Sequence, residues 1–528
     1  MPEYHKVKLS ELSRRELMKM ASSATFVGAS VGLAGCTGGG GGGGGGGNQS
    51  GGGGGSSELQ SAVSDIGYGD NWEERRGLGT PAESWPMESR LKVPESDLGS
   101  ASSWSGTETV SSAVWEPPSG WDSTAASDVD TIEILNYGDM QFDRATAATD
   151  ALFEDRTGIS MSRTQVVVDQ AIPKAAAFLS SEQSTPQMLL STTYSSMSTY
   201  ATNGYLEPVN FIQPDDSMWE PYLPIAQQTF QFNGNQWGGP NIIEGKVVHL
   251  RPQLIRDQGV DGAVVDSILS GDYTWSDLET VMEAFAGTDV AGWGYRGSSL
   301  TYTENDWREM WYQAGGGYTQ GGDGVTVNTD TGLYALERMI SWLDKGWVPD
   351  AVTTWTQGDL ADGFLSESMA MVPVATDLIA DATEQFGKGD AYQIAPPPRA
   401  PDDAADPQQA TLATSTISAI NTFAPLGHKI AGTLFQDARF SYASSWWEYV
   451  EEGNMAYVNQ VYEDATDQAT FSQQKGAAME VAKSEVFPQQ RAINQEVSEQ
   501  LQLAIAGDKE PQKALEDAQS FIDTVLSQ

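Results

Sequence analysis

A two-lobed α/β fold is what this sequence predicts, and three observations predict it. After Asp130, strand-like and helix-like segments alternate. The alternating part runs for roughly 400 residues, more than one hydrophobic core usually serves, so two lobes are the default. No fixed-period repeat is visible, which argues against a solenoid or a propeller.

The elements follow in order. Thr131–Tyr137 has the apolar content of a strand and ends at Gly138. Residues 144–155 then set Ala145, Ala148, Leu152 and Phe153 on one helical face, closed by Thr157 and Gly158, and residues 165–168 read as a second strand. This is a β-α-β start. Farther on, Ser276 and Glu279 have the spacing of a capping box, with Leu278, Met282 and Phe285 behind it. Residues 331–345 place Leu333, Leu336, Ile340 and Leu343 on one face before Gly346 and Pro349. The last helix, Pro511–Leu526, uses Leu515, Ala518, Ile522 and Val525.

Ahead of these elements stands an N-terminal region of a different kind. Residues 1–36 open with bases (Lys6, Lys8, Arg14, Arg15, Lys19), continue as an Ala/Gly/Val-rich run diluted by Ser and Thr, and end in Leu33-Ala34-Gly35-Cys36. A membrane span needs about 20 consecutive apolar residues, so this run reads as an export signal. Ser13-Arg14-Arg15-Glu16-Leu17-Met18-Lys19 looks like the twin-arginine motif, and the segment ending at Cys36 looks like a lipobox, whose cysteine is acylated and becomes the new N-terminus. Cys36 is the sole cysteine, beside the ten glycines Gly38 to Gly47 where no core can form. No internal disulfide is possible. Residues 37–127 form a tether and extension. The part to residue 57 is a Gly/Ser coil with a mean reach of about 25 Å. Beyond it, Trp72, Trp85, Trp104, Trp115 and Trp121 lie in Ser/Gly/Pro/acid-rich sequence. Disordered linkers are poor in aromatics, so these indoles are expected to pack on the folded body.

Charge bounds the partners. The chain carries 72 Asp+Glu against 29 Lys+Arg, and beyond Cys36 the net charge is −45. Such a surface repels nucleic acid and anionic lipid. With only 13 lysines and the acids spread through every segment, it fits a protein solvated in strong salt, that of an extreme halophile.

The landmarks "TIEILNYGDMQFDRATAATDALFEDRTGI", "TPQMLLSTTYSSMSTYATNGYLEPV", "FNGNQWGGPNIIEGKVVHLRP", "YTWSDLETVMEAF", "GWGYRG", "TGLYALERMISWLDKGWVPD", "FLSESMAMVPVATD" and "PQKALEDAQSFIDTVL" stand in one order over residues 130–528. In this the chain resembles family-one extracellular solute-binding proteins, the maltodextrin-binding type that feeds ABC importers. The resemblance implies a periplasmic-binding-protein fold of type II, with discontinuous lobes (128–242 with 412–460, and 246–405 with 461–528), a hinge and a ligand cleft between them. Together with the lipobox, it implies a monomer outside the cell, held to the membrane through the lipid on Cys36, that delivers a carbohydrate to an ABC permease without catalysis, cofactor or metal.

The same resemblance sketches the cleft. Tyr137 and Asp139 follow the first strand, and Asp139 matches a carboxylate that receives sugar hydroxyls; a carboxylate accepts several at once. Glu244 matches a second carboxylate at the crossover, where Gly245 allows a close approach. Trp237, Tyr302, Trp307 and Trp355 are the aromatic candidates, since a pyranose face lies well on a π-face. Tyr302 and Trp307 stand in a loop-like stretch, "SLTYTENDWREM". Tyr194 is the aromatic nearest to a position where the family has an indole, Asp377 replaces another, and Arg491 and Asn494 stand near a third. Polar residues in place of aromatic ones favour a smaller or more polar sugar, bound by hydrogen bonds.

The alternatives are a surface glycosidase or lyase, a receptor for another small polar solute, and a structural or adhesion lipoprotein. His249 and His428, the histidines outside the signal, have no partners at ligand spacing, which disfavours zinc and nucleophilic triads. A glycosidase needs only two carboxylates, which 72 acids always supply on paper. The glycine run follows a lipobox and not a strand, so it is no phosphate loop.

Overall fold

The computed structural model describes residues 56–79, 114–137, 144–166, 168–298, 301–319, 324–450, 453–466 and 471–527. Cys36, the glycine tether, Trp85, Trp104 and Asp139 lie outside them. Among the described residues no helix is long and apolar enough to cross a membrane, and no cluster of His, Cys, Asp or Glu could hold a metal ion.

The strands are β1 (Thr131–Tyr137), β2 (Ser160–Val166), β3 (Met188–Thr193), β4 (Gln231–Phe232), β5 (Asn235–Gln236), β6 (Gly239–Leu250), β7 (Met371–Ala375), β8 (Gln393–Ala395), β9 (Thr411–Ile420) and β10 (Ala482–Lys483). β4 and β5 form a small hairpin. The main sheet runs β2-β1-β3-β9-β6-β7, with β10 beside β9 and β8 beside β6. β1 is parallel to both β2 and β3, and helices Arg144–Thr157 and Val168–Ser180 make the crossovers that parallel strands require.

Two strands of this sheet define the architecture. β6 pairs with β9 from Gly239 to Gly245, then changes neighbours: Lys246 to Leu250 pair with β7 on one side, and Val248 to Leu250 with β8 on the other. β9 in turn pairs with β10 at Thr411 and Leu412 before joining β6 and β3. Both strands run from one lobe into the other, which is the two-lobed arrangement. Gly245 sits at the change of neighbours, where a Cβ would stand 2.8 Å from Met479 Sδ. The close approach expected at this glycine is met by protein.

Apolar packing builds two cores. The first gathers Ile132, Ile134, Leu152, Phe153, Leu189, Ile417, Leu434 and Phe435 around β1, β3 and β9. The second gathers Trp275, Leu278, Met282, Phe285, Leu336, Trp342, Leu501 and Ile522. Packing from the first core continues over the crossover through Val247 to Phe364, Met369 and Tyr392. The expectation for the extension's indoles holds where it is described: Trp115 is fully buried, and Trp72 and Trp121 pack partly buried against the first core.

Two local readings need correction. The second strand is Ser160–Val166, not 165–168, and Val168 already begins a helix. β2 is an edge strand with no buried residue, so its polar residues hid it, and the valines at its end shifted the reading toward the C-terminus. The capping box is Thr274 with Asp277, whose Oδ2 accepts the Thr274 N–H at 2.8 Å, two residues before the expected pair. Glu279 instead accepts the Trp342 indole N–H at 2.7 Å.

Candidate functional site

The site begins with the helix Tyr302–Gln313, because it is bolted to both crossing strands. Lys246, the first residue of β6 beyond its change of neighbours, reaches Asp306 at 2.5 Å, and Glu309 Oε2 accepts the Leu412 N–H of β9 at 3.0 Å. Against the cost of burial, Arg296 and Lys246 hold Asp306 below the usual carboxylate range. This helix is thereby fixed relative to the hinge.

One turn apart on the same helix, Glu304 and Arg308 form an ion pair of 3.2 Å in which both side chains are fully buried. Tyr318 OH donates to Glu304 Oε1 at 2.8 Å. Burial pushes the Glu304 carboxyl up, and Arg308 only partly offsets it. Arg308 Nη2 donates to Asn305 Oδ1 at 3.0 Å and, across the lobes, to Tyr194 OH at 2.8 Å. Tyr194 comes from the first lobe: β3 ends at Thr193, whose Oγ1 caps the helix Tyr194–Thr202 by accepting from Ser196 N. Burial raises the Tyr194 phenol pKa.

The helix Gln490–Ile505 packs against both of these helices. Gln490, Asn494 and Ser498, spaced four apart on one face, are all buried. Arg491 lies close enough to Tyr200 for its charge to oppose the burial that pushes that phenol up to about 12. Along these helices, Glu304 Oε2, Arg308 Nε and Nη1, Gln490 Oε1, Asn494 Oδ1 and Ser498 Oγ are buried without a hydrogen-bond partner in the protein. Buried polar groups are nearly always paired, so these atoms are candidate partners for a bound polar molecule, water included.

A second polar patch lies at the crossover. Lys246 pairs with Ala375, the last residue of β7, and Asp377, two residues on, is near enough to Glu244 for its charge to act on that carboxyl. Thr414 Oγ1 donates to Glu244 Oε2 at 3.3 Å, and Asp377 caps the helix Leu378–Phe386 by accepting from Leu378 N at 2.9 Å. Although the Glu244 side chain is exposed, desolvation by the protein around it and then the Asp377 charge raise its carboxyl. Burial likewise raises Asp377.

The aromatic candidates fare differently. Trp307 is fully buried, stacked on Trp311 at 4.7 Å, with its indole N–H donated to Gly332 O at 2.9 Å. It has no face to offer a ligand, and the stretch taken as a loop is helical from Tyr302 onward. The cause is visible in the spacing: Trp307 and Trp311 are one helical turn apart and both enter the second core. Tyr302 is half-buried, with the Arg296 guanidinium 5.2 Å from its ring centre. Trp237 and Trp355 are half-buried. Trp237 donates its indole N–H to Phe232 O at 2.9 Å, and Trp355 packs against both cores. Tyr137 ends β1.

The structure thus brings Tyr194, Arg491 and Asn494 to one junction and Glu244 and Asp377 to another. Sequence reasoning missed Glu304, Arg308, Gln490 and Ser498. The only signal for the first two is an opposite-charge pair one turn apart on a helix rich in aromatic residues.

Among curated proteins none matches this chain. Solved structures do match. Maltose-bound MalE3 of T. maritima superposes with a TM-score of 0.63 at 16% identity, covering 75% of this chain and 99% of that one. An ABC transporter solute-binding protein of Thermotoga lettingae bound to α-D-tagatose gives a TM-score of 0.62 at 19% identity over 75% of this chain and 100% of that one. The GacH receptor of Streptomyces glaucescens, solved with and without acarbose, gives 0.63 at 17% over 76% and 99%. At such identities these likenesses establish the two-lobed fold. The family model for bacterial extracellular solute-binding proteins matches residues 148–425, more than half of the chain, and the chain belongs to that family.

Proposed function

We propose that this protein is a lipid-anchored receptor on the outer face of the cell membrane that captures a neutral carbohydrate or polyol between its lobes and passes it, unaltered, to an ABC importer. One observation carries the reading: the unpartnered donors and acceptors of Glu304, Arg308, Gln490, Asn494 and Ser498 at a junction that Tyr194 joins from the other lobe. A hydroxyl both donates and accepts, so a polyol satisfies such a mixed set, whereas an ion would not. The Glu304–Arg308 pair is neutral as a unit, which removes the attraction for a charged ligand. Glu244 and Asp377 add acceptors at the crossover, and Asp139 would add another at the first lobe. Proteins of this fold that bind maltose, tagatose and acarbose support a carbohydrate ligand.

The chemistry is binding coupled to motion. Ligand contacts drawn from both lobes exist together only when the lobes are closed, so ligand shifts the population toward closure, and the permease reads the closed shape. With Trp307 in the core and the ring of Tyr302 faced by Arg296, hydrogen bonds outweigh stacking, which favours a small polar sugar over a linear maltodextrin. The twin arginines and Cys36 supply export and anchor, and the net charge of −43 suits work in strong salt.

The test is a thermal-shift screen of sugars, polyols and amino acids in about molar KCl, the salt that screens this charge. A sugar that raises the unfolding temperature in proportion to its saturation and is recovered intact supports the receptor. Accumulation of cleaved product would overturn it in favour of an enzyme.

A further inference from the structure

The described parts of the N-terminal extension, residues 56–79 and 114–130, lie outside the stretch that the family model matches. They are nevertheless built into the first lobe. Asp437, fully buried on the helix Leu426–Arg439, accepts four hydrogen bonds from the extension. Arg76 gives two to Oδ1, from Nε at 3.0 Å and Nη2 at 2.7 Å. Arg75 Nη1 and the Trp115 indole N–H each reach Oδ2 at 2.9 Å.

Arg76, itself fully buried, spends its remaining donors on the same lobe: Gln213 Oε1 at 2.9 Å, Ile212 O at 3.0 Å and Tyr222 OH at 3.3 Å. Its own carbonyl accepts from Tyr442 N at 2.8 Å. Tyr68 OH bonds Thr433 Oγ1, Gly79 N donates to Gln460 Oε1 at 3.0 Å, and Arg156 Nε donates to Trp115 O at 3.3 Å. Every one of these partners belongs to the first lobe. Against the cost of burial, the two arginines hold Asp437 below the usual carboxylate range. A buried pair is also out of reach of salt, whereas exposed pairs are screened once the Debye length shrinks to about 3 Å at 1 M. In a chain with 29 basic residues against 72 acids, two arginines committed to one buried aspartate make an attachment that strong salt does not loosen.

We propose that residues 58–79 and 114–130 are a clasp through which the first lobe alone carries the membrane tether, leaving the second lobe free to swing about the hinge. What is carried rests on the lipid-anchor reading; the clasp does not. The tether joins the chain at the clasp, so tension or tumbling of the anchor is taken up by Arg75, Arg76 and Asp437 and reaches neither the hinge strands nor the cleft.

The experiment places a protease site within residues 85–105 of the full-length chain. In a soluble Cys36→Ser form, the nicked protein is passed over a sizing column in about molar KCl, where surface pairs are screened. The N-terminal piece is expected to co-elute with the body. In Arg76→Met it should dissociate on the order of a hundredfold faster, since one partner of a buried pair is lost. Trp115→Phe, which removes only a neutral donor, should give a smaller acceleration with the fold intact. Affinity for the ligand should be unchanged in both variants. Prompt loss of the piece from the unsubstituted nicked chain would overturn the clasp. The lipidated chain, nicked on membranes, should keep its body membrane-bound. If the intact chain never holds to membranes while the soluble nicked form keeps its piece, the anchor reading fails and the clasp stands.

Discussion

Among the described residues, two of the fully buried arginine–carboxylate centres, Arg76–Asp437 and Arg308–Glu304, are built to opposite specifications. At Asp437, both carboxylate oxygens and all three side-chain nitrogens of Arg76 are bonded within the protein. At Glu304 and Arg308, one carboxylate oxygen and two guanidinium nitrogens are buried without a hydrogen-bond partner, and three more such groups lie on a neighbouring helix. Burying charge costs free energy in both places. The first centre recovers it within the chain and so holds structure. The second leaves part of it unrecovered within the chain, as the binding site proposed above would require.

The comparison breaks most sharply on stability. Asp437→Asn leaves Arg75 and Arg76 buried beside a neutral amide and should destabilise the protein by about 3–5 kcal/mol, the usual result of breaking a buried pair. Urea midpoints in molar KCl measure this, and ligand affinity should change little. Asn494→Ala should do the reverse. It removes a buried acceptor that has no partner in the ligand-free protein, so stability should hold or rise. Ligand binding should weaken by about 0.5–1.5 kcal/mol, roughly three- to tenfold, as a lost hydrogen bond implies. Equal losses of stability in the two variants would erase the distinction.

The distinction also reads out in pH. Glu304, Glu244 and Asp377 have raised folded-state pKa values, so they take up protons at a pH where free carboxylates are still ionised. Asp437 is depressed, so its stabilising contribution is present above the ordinary Asp value and is lost only as pH falls through its lower folded-state value. Titrated downward from neutral, affinity should fall before the Asp437 contribution does. His249 adds its own term. Burial lowers it to about 4 and holds it neutral, so stability declines as pH falls from the free-histidine value toward 4, and His249→Gln should remove that slope. The smallest effect concerns salt. Dilution below about 0.5 M should lower the unfolding temperature by exposing self-repulsion, yet leave retention of the clasp peptide unchanged.

How much of this was legible in sequence follows the same physics. The helix Pro511–Leu526 was readable because it buries one periodic face, and β1 and the helix Arg144–Thr157 because their apolar residues enter the first core. β2 was displaced because an exposed edge strand carries no apolar period. Asp377 and Asn494 stood out as polar residues where the resemblance expects indoles, and they lie at the two polar junctions. Trp307 misled because aromatic content alone does not separate a stacking platform from a core residue, and its partner Trp311 settles the matter. Glu304 and Arg308 look like an ordinary surface pair until three helices enclose them. The clasp had no local signature at all: Arg76 and its partner Asp437 stand 361 residues apart in an acid-rich chain.

The most direct measurement of the central claim is a calorimetric titration, in molar KCl, of the intact protein and of Asn494→Ala with whichever sugar or polyol gives the largest thermal shift. The account predicts a single-site isotherm for a neutral ligand, weakened roughly three- to tenfold by the substitution, with the ligand-free unfolding temperature equal or higher. An isotherm identical in both proteins, or one obtained only with a charged solute, would contradict it.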